Sequence, residues 1–232
     1  MIDWHNHLLP NMDDGSRSVE ESLAMLRAQA AQGVTTVMAT PHFYANDESL
    51  DSFLTRRAAA YGAIEHLTER PQILLGAEVR YYEGISRMPD LKKLCVQDSR
   101  LMLLEMPFRL WSEYAVKEVV DIACPGRIIP VIAHVERYLF IQKKGVAERL
   151  LQNGVLFQVN ADFLTEWKRR RKALRMMKNG QIHFIGSDCH NLTDRAPKAG
   201  EGYALIEKKL GRGFTEAFSA FGRDLALKQR QK

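Results

Sequence analysis

The chain has 232 residues, 46% of them hydrophobic and 26% charged, a balance that excludes long disorder, collagen-like repeats and coiled coil. This length suits one α/β domain burying roughly 70% of its unfolded surface, and no stretch carries a secretory signal or the roughly 18 apolar residues of a membrane helix, so neither secretion nor membrane insertion is expected. Lys and Arg total 33 against 28 Asp and Glu, giving a net charge of +5 and a pI near 9.1, a modest excess that suits an anionic partner without naming one.

A strand is predicted over Ile2–Leu8, then a helix over Ser18–Gln32 that Ser16 or Ser18 caps and Gly33 ends. Further strands are expected at Thr35–Thr40, Ile73–Val79, Leu101–Met106, Ile128–Ala133, Leu156–Asn160 and His183–Ser187. Between most of them lie helical patterns at Asp47–Thr68, Glu113–Ala123, Val146–Asn153, Glu166–Asn179 and Tyr203–Leu210, and a last helix runs from Thr215 into a basic tail. Seven strands alternating with helices predict a mostly parallel sheet, either open and doubly wound or closed into a barrel. The first strand is followed by no glycine-rich nucleotide loop, and no repeat or linker divides residues 1–232, so a single domain is expected. Cys95, Cys124 and Cys189 are odd in number and form no C-x-x-C motif, so the cytoplasm is the expected compartment. The densest basic run, Lys168 to Lys172, falls in a predicted helix and reads either as a solvated face or as a dock for an anion.

Five of the seven histidines fall at the C-terminal ends of predicted strands, where α/β barrels place their active sites. His5 and His7 are two apart, so they share one face of the first strand while Trp4 and Asn6 turn the other way. His42 follows the second strand, Glu78 and Glu105 end the third and fourth, His134 closes the fifth, and Asp188 and His190 repeat the two-residue spacing after the seventh. Asp13 and Asp14 lie in the first loop. A lone histidine at a strand end is more often structural, and His66, within a helical pattern, is left unassigned. Repetition at successive strand ends is what points to metal: mixed nitrogen and oxygen ligands without thiolate suit manganese, iron or zinc, and their number suits two or three ions.

The run Asp3-Trp4-His5-Asn6-His7-Leu8-Leu9-Pro10, followed by Met12-Asp13-Asp14-Gly15-Ser16 and Glu20-Glu21-Ser22-Leu23, resembles the opening of the PHP (polymerase and histidinol phosphatase) superfamily. More narrowly it is similar to the manganese-dependent protein-tyrosine phosphatases of bacterial capsular and exopolysaccharide synthesis. The similarity continues through Ala39-Thr40-Pro41-His42, Gly76-Ala77-Glu78, Leu104-Glu105-Met106-Pro107, His134-Val135-Glu136-Arg137-Tyr138 and Ser187-Asp188-Cys189-His190. The resemblance implies a distorted (β/α)7 barrel with manganese at its mouth, iron, zinc or magnesium being alternatives. It also implies that His5, His7, Glu78 and Asp188 hold one metal, that Glu78 bridges to a second held by Glu105 and His134, and that Asp14, His42 and His190 serve a third. Arg137 and Arg195 match its phosphate-binding positions and, with His42, make up the catalytic set. The implied partner is the tyrosine-phosphorylated tail of a bacterial autokinase of polysaccharide export, with no stable nucleic-acid partner; oligomeric state stays open. Trp4, Asn6, Val135 and Cys189 depart from the usual family pattern without removing a presumed ligand.

Charge dictates the expected chemistry. A phosphate dianion repels hydroxide, so metal ions are expected to activate a bridging hydroxide for in-line attack while the arginines neutralise the phosphoryl oxygens. One rival lies in the same stretch: Cys189 to Arg195 fits the Cys-x5-Arg spacing of thiolate phosphatases, although its loop lacks glycine and carries Asp194. Another PHP phosphoesterase acting on a small substrate, a nuclease, and a non-catalytic interaction module complete the alternatives.

Overall fold

A computed structural model describes residues 1–67, 71–124 and 128–227, with the side chains of Trp167, Lys168 and Leu227 set aside. The expected helix end at Thr68, the side chain of Lys168 in the basic run and the basic tail at 228–232 lie outside the described residues. The chain begins with β1 (Ile2–Asn6), α1 (Val19–Ala31), β2 (Thr36–Ala39), β3 (His42–Phe43) and α2 (Leu50–Gly62). It continues through β4 (Gln72–Leu75), β5 (Glu78–Arg80), β6 (Leu101–Glu105), α3 (Glu113–Ala123) and β7 (Ile129–Ile132). After α4 (Val146–Gln152) and β8 (Leu156–Asn160) come α5 (Ala161–Thr165), α6 (Trp167–Lys178), β9 (Phe184–Gly186), α7 (Ala199–Leu210) and α8 (Arg212–Leu227).

Local chemistry explains the helix starts. Ser18 Oγ accepts from the Glu21 amide at 3.2 Å, and Ser49 and Ser112 do the same for Ser52 and Ala115, satisfying amides that a helix N-terminus leaves unpaired. Ser16 instead hydrogen bonds with Ser22 Oγ and caps nothing. Gly33 ends α1 in the left-handed region at φ +78°, a conformation that glycine adopts without strain. α2 begins three residues later than expected, at Leu50, because Ser49 rather than a residue near Asp47 provides the cap. α7 and α8 begin earlier than their periodicity indicates, at Ala199 and Arg212. The five-residue α5 carries no pattern long enough to announce it.

Every strand pair is parallel. One ladder has the order β1-β2-β4 and the other β3-β5-β6-β7-β8-β9. Seven strands were expected and nine are present among the described residues, because the chain, interrupted at Pro41, resumes pairing beyond the second as the short β3, and the third is split at Gly76 into β4 and β5. Pro41 has no amide to donate, and Gly76 lies so close to Val96 and Thr40 that a Cβ there would meet their side chains at 3.2 and 3.3 Å. Hydrogen bonds Gly76 N–Ala39 O (2.8 Å) and Glu78 N–Pro41 O (3.0 Å) keep the two interrupted strands adjacent. Beyond β9 the chain returns to β1: Asp188 N donates to His5 O at 2.8 Å and His7 N to Cys189 O at 2.9 Å. The result is a curled parallel sheet of α/β architecture.

Two apolar clusters stabilise it. The larger lies between sheet and helices and includes Leu26, Val37, Phe53, Met102, Val119, Phe157 and Ile206. A smaller one joins Ile2, Trp4, Met38, Leu74, Leu101, Leu103, Val131 and Phe184 with Ala226 of α8. The register of β1 shifts between Asp3 and Asn6, and this bulge breaks strict alternation. Trp4 and Asn6, expected to share a face, therefore part company. Trp4 packs on Phe184 with ring centroids 4.3 Å apart, while Asn6 bonds to Asp3 and Ser187.

Candidate metal centre

His5 and His7 meet at the mouth of the sheet, and their outer partners determine which way they face. His7 Nδ1 lies 2.7 Å from Asp13 Oδ2, and His5 Nδ1 lies 3.4 Å from Gln158 Oε1. Both oxygens only accept, so in the neutral imidazoles Nδ1 carries the proton and Nε2 presents a lone pair. The two Nε2 atoms are 3.0 Å apart. Glu78 Oε2 lies 3.1 and 3.3 Å from them, and Asp188 Oδ1 lies 3.5 Å from each. Four acceptors thus converge in a buried space, an arrangement that a cation relieves.

Two further groups adjoin this one. His42, Glu78 and Glu105 form one, and His7, Asp14, His42 and His190 the other; within each group the candidate ligand atoms lie within 4.8 Å of one another. His42 Nδ1 is 3.1 Å from Glu78 Oε2, and His190 Nε2 is 3.2 Å from Asp14 Oδ1. His134 borders these groups: its Nε2 is 2.9 Å from Glu78 Oε1 and 3.8 Å from Glu105 Oε1, and Tyr138 Oη lies 3.1 Å from its Nδ1. Glu78 Oε2, His42 Nδ1 and His190 Nε2 are buried, yet none has a partner in hydrogen-bond geometry. Native proteins rarely leave such atoms unused, and here all three face the same cluster. The donor set therefore fits divalent transition metals.

The field of the cluster favours positive charge. Burial lowers the pKa of His5 and His7, but Glu78 and Asp188 around His5, and Asp13 beside His7, outweigh it and raise both. Burial pushes Glu78 up, and His5, His134 and His7 together hold it well below the usual carboxylate range. Glu105, buried beside Glu78, is raised instead. Burial, with His7 nearby, lowers His190 to about 4.

Arg137 and Arg195 both reach this mouth. Arg137 Nη2 bonds Asp188 Oδ2 at 2.7 Å and Arg195 Nη2 bonds Asp188 Oδ1 at 2.6 Å, so one buried carboxylate anchors two half-exposed guanidinium groups. Backbone strain marks the same place: His134 and Asp188 adopt φ of +31° and +52°, a cost of about 1–3 kcal/mol each that surrounding contacts must offset.

The thiolate alternative does not survive this geometry. Cys189 is fully buried, its Sγ donates to Asn191 O, and burial together with Asp3 pushes its pKa far up, where a thiolate does not form. Arg195, its expected partner, is held by Asp188. His66 is exposed in a turn and His183 accepts from the Phe157 amide, so neither joins the cluster.

Several contributors escaped the sequence reading. Gln158 Oε1 also accepts from the His134 amide at 2.7 Å, and its Nε2 donates to Asn160 Oδ1 at 3.0 Å. Asn160 in turn donates to Asp188 Oδ2 at 2.9 Å. Asp3 collects the Ser187 and His5 amides, Asn6 and Gln29 behind the cluster. Gln158 and Asn160 repeat the two-residue spacing of His5 and His7 at a strand end, a signal that applies to amides as well as imidazoles. By contrast Glu118, also buried, is fully occupied by Tyr81, Gly84 and Ser86 and acts as a local tie.

Fold and site together define a class: an α/β protein whose curled parallel sheet gathers, at one mouth, overlapping sets of nitrogen and oxygen groups able to hold metal ions. The model of the family of capsular polysaccharide synthesis, CpsB/CapC, matches residues 1–221, and the chain belongs to that family. The tyrosine-protein phosphatase YwqE of Bacillus subtilis (strain 168) is 33% identical over 225 residues, covering 91% of this chain and 85% of the relative. The tyrosine-protein phosphatase CpsB of Streptococcus pneumoniae is 31% identical over 228 residues, covering 91% of each. A solved structure from work on YwqE and CpsB, described there as unique metal-dependent tyrosine phosphatases, aligns with a TM-score of 0.84 and 28% identity, covering 97% of this chain and 94% of its own.

Proposed function

We infer that this chain is a metal-dependent tyrosine-protein phosphatase. The observation that carries the reading is the convergence of His5, His7, Glu78 and Asp188 next to two arginines, in a chain whose relatives YwqE and CpsB bear that name. We read the nine strands as seven staves of a distorted (β/α)7 barrel, the second and third interrupted, forming one functional unit across residues 1–232. His5, His7, Glu78 and Asp188 would hold one ion, and Glu78 with Glu105 and His42 a second that His134 borders. Asp14, His42 and His190, joined by His7, would hold a third. This grouping moves His42 into contact with the second set, where the family resemblance had placed His134. Manganese is our choice of ion, with iron, zinc or magnesium as alternatives, since the donors are imidazole and carboxylate.

Bound divalent ions would activate water near neutral pH and offset the charge of a phosphate dianion. The chain's own residues do the rest. Asp13 and Gln158 keep the protons of His7 and His5 on Nδ1 and thereby hold both rings in place. Arg137 and Arg195, each anchored on Asp188, turn their remaining N–H groups toward the non-bridging phosphoryl oxygens. His42, at the open side of the cluster, stays neutral because burial lowers its pKa and completes the catalytic set. A phenolate leaves readily, so the reaction makes little demand for a strong acid.

We extend the reading to the substrate: the tyrosine-phosphorylated tail of a bacterial kinase of polysaccharide export, met in the cytoplasm. The net charge of +5, the capsule-synthesis family and three free cysteines support it, and among the described residues no helix is long and apolar enough to cross a membrane. Hydrolysis of a phosphotyrosine peptide, measured after chelation and after Mn²⁺ is restored, in wild type and Cys189→Ser, tests the reading. Activity that disappears on chelation, returns with Mn²⁺ and ignores Cys189→Ser is expected. Activity that survives chelation and vanishes in Cys189→Ser overturns it.

A further inference from the structure

Beside the metal cluster lies a cleft of about 670 Å³, within the roughly 300–1,000 Å³ of sites that enclose small ligands. Arg137 belongs to both: it lines the cleft and bonds Asp188 in the cluster. The cleft therefore adjoins the proposed phosphate position at Arg137.

Its outer wall is aromatic. Phe108, on the loop after β6, is 67% exposed, and Phe140, on the segment after β7, is 65% exposed. Their ring centroids are 6.1 Å apart at 62°. Phe108 also touches buried Tyr138, at 6.4 Å between centroids, and Tyr138 contacts His134, so a chain of aromatic contacts ties the cleft's outer wall to the cluster. Two large exposed rings side by side on different loops are the kind of apolar surface that marks a binding site.

Its far wall is one face of α6. Arg169, Lys172 and Met176 line the cleft at positions three and seven residues apart, which share a helical face. Two of the lining carboxylates are paired, Asp162 with Lys198 at 2.8 Å and Glu166 with Arg169 at 3.2 Å. The third, Glu136, stands on the segment after β7 rather than on the α6 wall, its Oε1 accepting from the Asn160 amide at 3.3 Å and its buried Oε2 without a hydrogen-bond partner. Among the described residues no carboxylate pairs with Lys172, nor with Arg171 beside it. The unmatched charge of this wall is positive, and it belongs to the basic run that the catalytic reading leaves unused.

We propose that this cleft is the substrate subsite for an acidic phosphotyrosine peptide. The tyrosyl ring lies against Phe108 and Phe140 with its phosphate toward Arg137, and an Asp or Glu side chain near it in the peptide meets Lys172. This proposal rests on the phosphatase reading and adds a substrate preference to it: phosphotyrosine within an acidic segment.

The test measures binding of fluorescent peptides in which a non-hydrolysable difluorophosphonate replaces the phosphate, using Mn²⁺-loaded full-length protein. One peptide carries Asp and Glu around the analogue, and its twin carries Asn and Gln. The Phe108→Ala/Phe140→Ala double variant is expected to bind both peptides about thirtyfold more weakly. Lys172→Glu is expected to bring a wild-type preference of about fivefold for the acidic peptide down to about one. Thermal melting and circular dichroism matching wild type show that these exposed substitutions leave the fold intact. Unchanged affinities in the double variant, or an acidic preference that Lys172→Glu leaves in place, overturn the subsite. Wild-type hydrolysis of the phosphorylated peptides, followed in parallel, judges the phosphatase reading separately. Hydrolysis with unaltered variant affinities removes the subsite alone, whereas tight, variant-sensitive binding without hydrolysis retains the subsite and removes the activity.

Discussion

At the N-terminal end of the strands Trp4, Leu101, Leu103, Val131 and Phe184 pack against one another and against Ala226 of α8. Further along the same strands come His5, Glu105, His134 and Asp188, beside the unpartnered atoms of Glu78, His42 and His190, with strained backbone at His134 and Asp188 and two arginines on one carboxylate. Stability and chemistry are thus separated along a single sheet, the division expected when functional groups are gathered at the C-terminal ends of parallel strands. The difference also explains why the mouth tolerates arrangements that would cost a core dearly: the apolar floor beneath it is closely packed, and Asp3, held by Ser187, Asn6 and Gln29, ties the two levels together.

The sharpest way to break this comparison is to remove a residue that faces the cluster. Glu78→Ala, which deletes the carboxylate shared by two ligand groups, is expected to reduce phosphatase activity to the detection limit and lower bound Mn²⁺ by elemental analysis, while the protein still melts cooperatively. Trp4→Ala attacks the floor instead. It should cost about 3–5 kcal/mol of stability in urea unfolding, yet leave Mn²⁺ stoichiometry per folded molecule near that of wild type; a variant that keeps its stability would contradict the assigned role of the floor. Arg137→Ala should lower kcat for a phosphotyrosine substrate by about 10²–10³-fold without altering bound metal, and stopped-assay kinetics would show it.

Smaller effects refine the boundary. Gln158→Leu leaves the His5 ring without its Nδ1 acceptor and should weaken Mn²⁺ binding by about 10–100-fold, a change read by competition with a fluorescent chelator; unaltered affinity would reduce Gln158 to a packing role. The smallest effect lies away from the mouth, at His183. Burial lowers its pKa from 6.5 to about 4 in the folded state, so between these values the unfolded chain binds more protons. Its contribution is fully present above pH 6.5 and is lost as pH falls toward 4. His183→Phe should flatten that part of the stability profile relative to wild type, and a profile that keeps its slope would contradict the assignment.

Much of the fold was legible because its signals are local. The strand at Leu156–Asn160 and the helix at Glu113–Ala123 fall where period and capping place them, and Ser18 starts α1 as a side-chain acceptor must. The interruptions at Pro41 and Gly76 were less visible, since one follows from a missing amide and the other from the approach of Val96 and Thr40 across the sheet. The bulge in β1 was likewise hidden: an alternating pattern cannot reveal a register shift that depends on the neighbouring strand.

By itself, then, the sequence determined an inventory. Two-residue spacing at His5 and His7 and at Asp188 and His190, with acidic and imidazole residues at successive strand ends, singles out the groups able to meet a metal, because side-chain direction along a strand is a local property. The tertiary structure decided which of them share a point in space. It set Gln158 behind His5, Asn160 and both arginines on Asp188, and His42 beside Glu78 rather than apart from it. Apart from Arg195 on Asp188, those contacts join residues tens to more than 150 positions apart, and their distances follow from how the sheet curls, a property of the assembled strands that no single stretch of sequence contains.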